Sequence, residues 1–223
     1  MVQTDVIPNI LVSLKGDPKA GKTHFAFTFP DPIACISLDF GAKYILRKFP
    51  EKKIEVFRYA MPVIDTARPK PYANDLWTAA RDDIYYAIDS TEYKTVVIDT
   101  GTVLWELCRI AYKEREAKNG MLPRDYGEAN ANMSGIFDKA QLGGVNLVMI
   151  SHLKDEYLND KSTGNRILDG WKRTEALSDV CLDIEMVKNK SRITIGGNRF
   201  DKDITGQTID DATYDDLIAL LGV

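Results

Sequence analysis

The sequence predicts an α/β fold: a mostly parallel central sheet covered by helices on both faces, with an antiparallel extension at the C-terminus. Three observations predict it. Short apolar runs of strand type recur at 10–15, 33–38, 95–98 and 145–150, separated by segments with helical spacing. The first run leads into Gly16-Asp17-Pro18-Lys19-Ala20-Gly21-Lys22-Thr23, a G-x-x-x-x-G-K-T string. His24-Phe25-Ala26-Phe27 follows with no Gly or Pro, so strand, glycine-rich loop and helix come in sequence. The other three runs end at Asp39, Asp99 and Ser151-His152, and open parallel sheets bind ligands at the carboxyl ends of their strands.

The first strand spans about 10–15, and a helix starting inside the loop runs to about 28 until Phe29-Pro30-Asp31-Pro32 breaks it. Ile33 to Leu38 is a second buried strand ending at Asp39, and a short helix covers 41–48. Ile54-Glu55-Val56-Phe57-Arg58-Tyr59 alternates as an edge strand does. Residues 60–72 carry three prolines and form a loop. Leu76, Trp77, Ala80, Ile84, Ala87 and Ile88 lie at helical spacing across 74–89, with Asn74 as N-cap. Thr95 to Ile98 is a third buried strand, closed by Asp99. Helices follow at 102–118 and 128–142, either side of a loop at 119–127. Val145 to Ile150 is the fourth buried strand, ending at Ser151-His152. The stretch 154–175 is polar, contains Gly164 and Gly170, and shows little periodicity. Strands at about 180–187 and 192–196 and a helix at 213–221 complete a single domain over 1–223, with its core at about 8–187 and a C-terminal strand and helix at 188–223.

A chain of 223 residues suffices for one α/β domain with a sizeable core. The net charge of −4 argues against the whole surface binding nucleic acid but leaves a local basic face open. Cys35, Cys108 and Cys181 are far apart in apolar runs, there is no C-x-x-C pair, and the histidines are His24 and His152. That pattern speaks against a zinc site or disulfide framework and fits reduced thiols in a cytoplasmic protein. No signal peptide and no apolar run long enough to cross a bilayer is visible, so no membrane partner is expected.

The string at 16–23 is a phosphate-binding loop. Gly16 and Gly21 permit backbone approaches that a Cβ blocks, and successive N–H groups form an anion nest at a helix N-terminus. Lys22 is positioned for the β- and γ-phosphates and Thr23 for Mg²⁺. The expected nucleotide contacts run from Gly16 through Asp17, Pro18, Lys19, Ala20, Gly21, Lys22 and Thr23 to His24. Pro18 stiffens the loop, and Lys19 reads either as a solvated charge or as a second phosphate contact. Asp99 ends four apolar residues and is the second expected metal-side group, or an N-cap of the next helix, or both. ATP and Mg²⁺ are the expected cofactors.

The residue after Asp99 is Thr100, not the Glu that NTPases of the AAA+ and helicase kind usually place there to activate water. That is the habit of the RecA-like branch, in which the base sits at the end of another strand. Asp39 is then the first candidate to orient the attacking water and Glu106 the second. His152, with Ser151 before it, is the candidate γ-phosphate sensor. Lys172, Arg173 and Arg124 are loop cations that can serve a neighbouring subunit, and solvated charge is the alternative for each.

Several segments together resemble the RecA-fold ATPases of bacteriophage genomes, the group of phage nucleotide-binding or single-strand-annealing proteins of the Sak type. They are the loop 16–23, Tyr93-Lys94-Thr95-Val96-Val97-Ile98-Asp99-Thr100, Asp125-Tyr126-Gly127, Asn146-Leu147-Val148-Met149-Ile150-Ser151-His152-Leu153-Lys154 and Leu177-Ser178-Asp179-Val180-Cys181-Leu182-Asp183. The resemblance spans about residues 8–200 and departs at Gly41, where a Glu is expected two residues past the acid. It implies an ATP-binding RecA core that acts on single-stranded DNA during phage recombination or replication. ATP hydrolysis, head-to-tail packing with 172–173 of one copy near 16–23 of the next, and a single-strand-binding protein as a further partner are also expected. The resemblance also implies that 119–127 and 154–175 face DNA. The second segment carries Lys154, Lys161, Arg166, Lys172 and Arg173, with Tyr157 and Trp171 to stack on bases, against the interleaved acids Asp155, Glu156, Asp160 and Asp169. A solvated hairpin is the alternative for this stretch. A nucleotide-gated loader or assembly module with little hydrolysis is the runner-up function. A small P-loop kinase is less favoured because 154–175 holds only Arg166 and Arg173. A GTPase is less favoured because Asp99-Thr100-Gly101-Thr102 lacks a switch glycine at the right offset, and Asn189-Lys190-Ser191-Arg192 lacks a base-reading Asp.

Overall fold

The computed structural model describes residues 9–61, 72–116 and 126–223. The expectations for 119–125, including Arg124 and Asp125, and for most of the loop at 60–72 lie outside the described residues.

Among the described residues a nine-stranded sheet runs in the order β3-β2-β4-β5-β1-β7-β8-β9, numbered along the chain, with β6 paired to β5. The parallel strands are β1 (Leu11–Gly16), β2 (Ile33–Ser37), β3 (Ile54–Arg58), β4 (Thr95–Asp99) and the first half of β5 (Asn146–Leu158), with β7 (Val180–Val187) beside β1. The antiparallel part is β6 (Lys161–Asp169), β8 (Lys190–Asn198) and β9 (Thr208–Asp210), the last a strand the sequence pattern did not predict. β3 is the edge strand that its alternation predicted.

Period-two side-chain alternation builds two cores, one on each face. Ile10, Val12, Leu14, Ile33, Cys35, Val97, Val148 and Ile150 point to one face, where α1 (Lys22–Ala26), α2 (Ala42–Ile45) and α7 (Tyr214–Leu221) add Phe25, Ala42 and Leu217. Leu11, Ala34, Ile36, Val96, Ile98, Leu147 and Met149 point to the other, under α3 (Ala73–Asp89), α4 (Gly101–Arg115) and α5 (Gly127–Gly143). Every apolar strand run is thus buried on both sides, as its lack of polar alternation required.

Local expectations were corrected in three places. α1 ends at Ala26, earlier than the expected 28. Asn74 does not cap α3; the helix begins one residue earlier, and Glu114 Oε2 from α4 accepts from the N–H groups of Ala73 and Asn74 at 2.8 and 3.1 Å. The fourth buried strand does not stop at Ser151-His152. It continues to Leu158 and turns into β6, pairing His152 with Asp169 and Leu158 with Lys161. The polar segment is therefore a solvated hairpin, followed by the short helix α6 (Thr174–Leu177). β8 pairs antiparallel with β7 along its length, the C-terminal antiparallel extension that the sequence predicted.

Candidate functional site

β1 delivers Gly16 to the carboxyl edge of the sheet between β5 and β7. A Cβ on Gly16 would stand 2.2 Å from Ile184 O, so only glycine allows β7 to pass this close. The chain then folds back on itself, with Ala20 N donating to Asp17 O at 3.2 Å, and Gly21 takes φ 103° ahead of α1. Lys22 Nζ donates to the carbonyls of Gly16 (2.8 Å) and Asp17 (2.7 Å) and is 7% exposed. Burial lowers its pKa, and Asp99, Asp17 and Asp39 oppose that shift. The ammonium is held as a fixed charge inside the loop.

Asp99 stands at the end of β4, 1% exposed, and its Oδ2 accepts from Thr23 Oγ1 at 2.9 Å. Burial first, and Asp39 second, push its pKa up to about 7, against the Thr23 hydrogen bond and the Lys22 charge. The Asp99 carbonyl accepts from Leu38 N at 2.6 Å, which ties the end of β2 to β4 and brings Asp39 alongside. Asp39 Oδ1 accepts from Gly41 N at 2.8 Å, so the residue standing where a Glu was expected orients the Asp39 carboxylate. Thr100, not Asp99, caps α4, its hydroxyl accepting from Val103 N. Two residues on, Thr102 Oγ1 accepts from His152 N at 2.9 Å and donates to Asp169 O, joining α4 to both strands of the β5–β6 hairpin. Burial first, and the Lys22 charge second, lower the His152 pKa, opposed by Asp39 and Asp169.

One cavity of about 620 Å³ gathers Pro18, Lys19, Gly21, Lys22, Thr23, His24, Asp39, Asp99 and His152. Gly16 and Asp17 act through the carbonyls that hold Lys22, and Ala20 is buried beneath the loop. Ser151 is buried and does not line the cavity. Glu106 is an exposed residue of α4 outside the cavity, so the structure does not bring this second candidate base to the site. The sequence reading missed the far wall. Met186, Asn189, Ser191 and Asp211 line the same cavity from the C-terminal part, as do Tyr44, Ile45 and Lys48 from α2 and the turn after it. Their only local signal was the Lys188-Asn189 pair, whose positive φ values of 49° and 65° make the tight turn between β7 and β8.

One further expectation is corrected. Trp171 is 2% exposed, packs on Phe137 at 5.9 Å between ring centroids, and donates from Nε1 to Asn130 Oδ1 at 2.8 Å. It is a core residue and presents no face to a base. Arg166 is paired with Asp17 of the phosphate loop, Nη1 to Oδ1 at 2.5 Å, and Lys154 with Asp169 at 3.1 Å. The exposed Tyr157, Lys161 and Lys172 remain on the hairpin and the turn after it, while Arg173 donates to Ser134 Oγ at 3.4 Å.

The Thr23 hydroxyl and the Asp99 carboxylate are hard oxygen donors on either side of one point of the cavity, which fits the ligand chemistry of Mg²⁺. Bound there, the ion would neutralise phosphate charge; Lys22 would hold the terminal phosphates and Asp39 a water proton.

A glycine-rich loop closed around its own lysine, with the loop hydroxyl tied to a strand-end carboxylate, defines a P-loop NTPase core. The chain belongs to the AAA domain family, which matches residues 9–205 and is a family of P-loop ATPases. No curated protein matches the chain. Position 100 carries a capping hydroxyl and no carboxylate. No helix among the described residues is long and apolar enough to cross a membrane, and no cluster of three or more His, Cys, Asp or Glu among them forms a metal-binding group.

Proposed function

We propose that the protein is a Mg²⁺-dependent ATPase that acts on single-stranded DNA in phage recombination or replication, in the cytoplasm of the host. The observation that carries the hydrolytic part is the Thr23–Asp99 hydrogen bond beside the enclosed Lys22. It pre-positions the two oxygen donors for a metal and the cation for the phosphates before any ligand arrives. Asp39 orients the water, and His152 senses the terminal phosphate. The DNA part is supported by the path from His152 through Thr102 to Asp169, which links the cavity to a projecting hairpin bearing the exposed Tyr157 and Lys161. Head-to-tail assembly, with Lys172 facing the neighbour's phosphate loop, and a single-strand-binding protein as partner belong to the same reading.

One observation favours a second reading, a nucleotide-gated loader with slow turnover. Asp39 is the only acid besides Asp99 and Asp211 among the residues that line the cavity, and its Oδ1 is engaged by Gly41. Single-turnover ATP hydrolysis measured with and without single-stranded DNA separates the two. DNA-stimulated release of ADP supports the proposal, hydrolysis indifferent to DNA supports the loader, and phosphate transfer to a small acceptor overturns both.

A further inference from the structure

The acids, the metal-side pair and Lys22 account for the triphosphate end of the cavity; the wall built by the C-terminal part has no role in that chemistry. This wall is held rigidly against the phosphate loop. Ser191 Oγ donates to Ala20 O at 3.1 Å, and a Cβ on Gly21 would stand 2.8 Å from that Oγ, so β8 lies directly on the loop. Ser191 N donates to Asp211 Oδ1 at 3.0 Å and Ser191 O accepts from Asp211 N, which locks Asp211 to the start of β8. The left-handed turn at Lys188-Asn189 places Asn189 at the rim, and Met186 keeps 52% of its surface exposed while lining the cavity. An exposed apolar side chain, an amide and a carboxylate, fixed beside a phosphate loop, match the three parts of a nucleoside: base face, base edge and ribose hydroxyls.

We propose that Met186, Asn189 and Asp211 form the nucleoside subsite and that Asn189 selects adenine. This rests on the reading of the loop as an ATP site and adds to it the base that the phosphate motif leaves open. Met186 covers the base face with a polarizable thioether. The Asn189 amide carries a donor and an acceptor side by side, which complements the paired amino group and ring nitrogen of adenine; an arginine, the usual partner of guanine's two acceptors, is absent from the described lining of the cavity. Asp211 accepts from the ribose.

The test compares binding of inorganic tripolyphosphate, ATP and GTP, each with Mg²⁺, by titration calorimetry. The wild-type protein is expected to bind ATP at least about tenfold more tightly than tripolyphosphate or GTP. Met186→Ala should bring ATP affinity down toward that of tripolyphosphate and leave tripolyphosphate binding unchanged. Asn189→Asp keeps a residue tolerant of the left-handed turn but presents acceptors only, and should reverse the order of ATP and GTP, because guanine offers adjacent donors on its pairing edge. ATP affinity and base preference equal to wild type in both variants overturns the subsite. Loss of tripolyphosphate binding in either variant assigns these residues a general structural role and also overturns it. A wild-type protein that binds neither tripolyphosphate nor ATP overturns the nucleotide reading, and the subsite with it.

Discussion

Thr23 Oγ1 and Asp99 Oδ2, 76 residues apart in the chain, meet at 2.9 Å. The contact costs the fold something, since Asp99 is taken almost wholly out of water to make it, and a carboxylate in that position holds its proton to about pH 7. Function therefore sits on a group whose burial is opposed only in part by Thr23 and Lys22.

Asp99 gives the metal-free protein a pH signature. Its pKa is raised in the folded state, so between about pH 4 and pH 7 the folded protein binds a proton that the unfolded chain has lost. Stability contributed by the protonated group is present below pH 4 and declines as pH rises toward 7. Asp99→Asn should remove this decline and raise the melting temperature at pH 8, while abolishing Mg²⁺-dependent nucleotide binding. Denaturant midpoints of both proteins across pH 4–8 check the first part, and nucleotide titrations with and without Mg²⁺ the second. Parallel pH profiles for the two proteins would remove Asp99 as the titrating group.

Lys22→Ala should lower affinity for ATP by at least about a hundredfold, roughly the 3 kcal/mol expected of a desolvated charge-assisted contact to phosphate. The fold should survive, because Nζ bonds only to the Gly16 and Asp17 carbonyls at the mouth of the loop. Fluorescent-nucleotide titration beside a circular dichroism melt tests both halves.

Asp39→Asn should bind ATP like wild type and hydrolyse it about a hundredfold more slowly, the range expected when a positioned base is removed. The amide retains the acceptor for Gly41 N, so the α2 start is undisturbed. Glu106→Gln, outside the cavity, should turn over at the wild-type rate. Steady-state phosphate release decides between them.

Arg166→Gln leaves the Asp17 carboxylate unpaired beside the incoming phosphates. ATP affinity should fall severalfold at low salt and converge on wild type at about 1 M salt, where charges at this spacing are screened. Both partners are about half exposed, so the melting temperature should barely move. A loss independent of ionic strength would point to packing by the arginine stem.

The parts legible beforehand share one property: their signal is local. The apolar runs that became β1, β2, β4 and β5 and the loop at 16–23 are each determined within about ten residues. Asp39, Asp99 and His152 were legible as site candidates because a parallel sheet presents all its strand ends on one edge. Where the reading failed, the decisive partner was distant. Trp171 stands between Gly170 and two cations in sequence, and distant residues such as Asn130 and Phe137, on α5, hold it in the core. Glu106 lies little more than one turn into the helix that follows a strand-end acid, but the helical rotation turns it to solvent.

By itself, then, the sequence determined the sheet class, the phosphate loop and its lysine, and the acid that faces it, because side-chain period and loop chemistry are properties of contiguous residues. The tertiary structure decided the rest of the cavity. It folded Met186, Asn189 and Asp211 back onto a loop some 170 residues earlier through the Ser191–Ala20 contact, turned the polar stretch into a hairpin tied to Asp17, and sank Trp171 into the core. These outcomes depend on strand register and on close approach at Gly16 and Gly21, which no stretch of sequence specifies until the chain is folded around it.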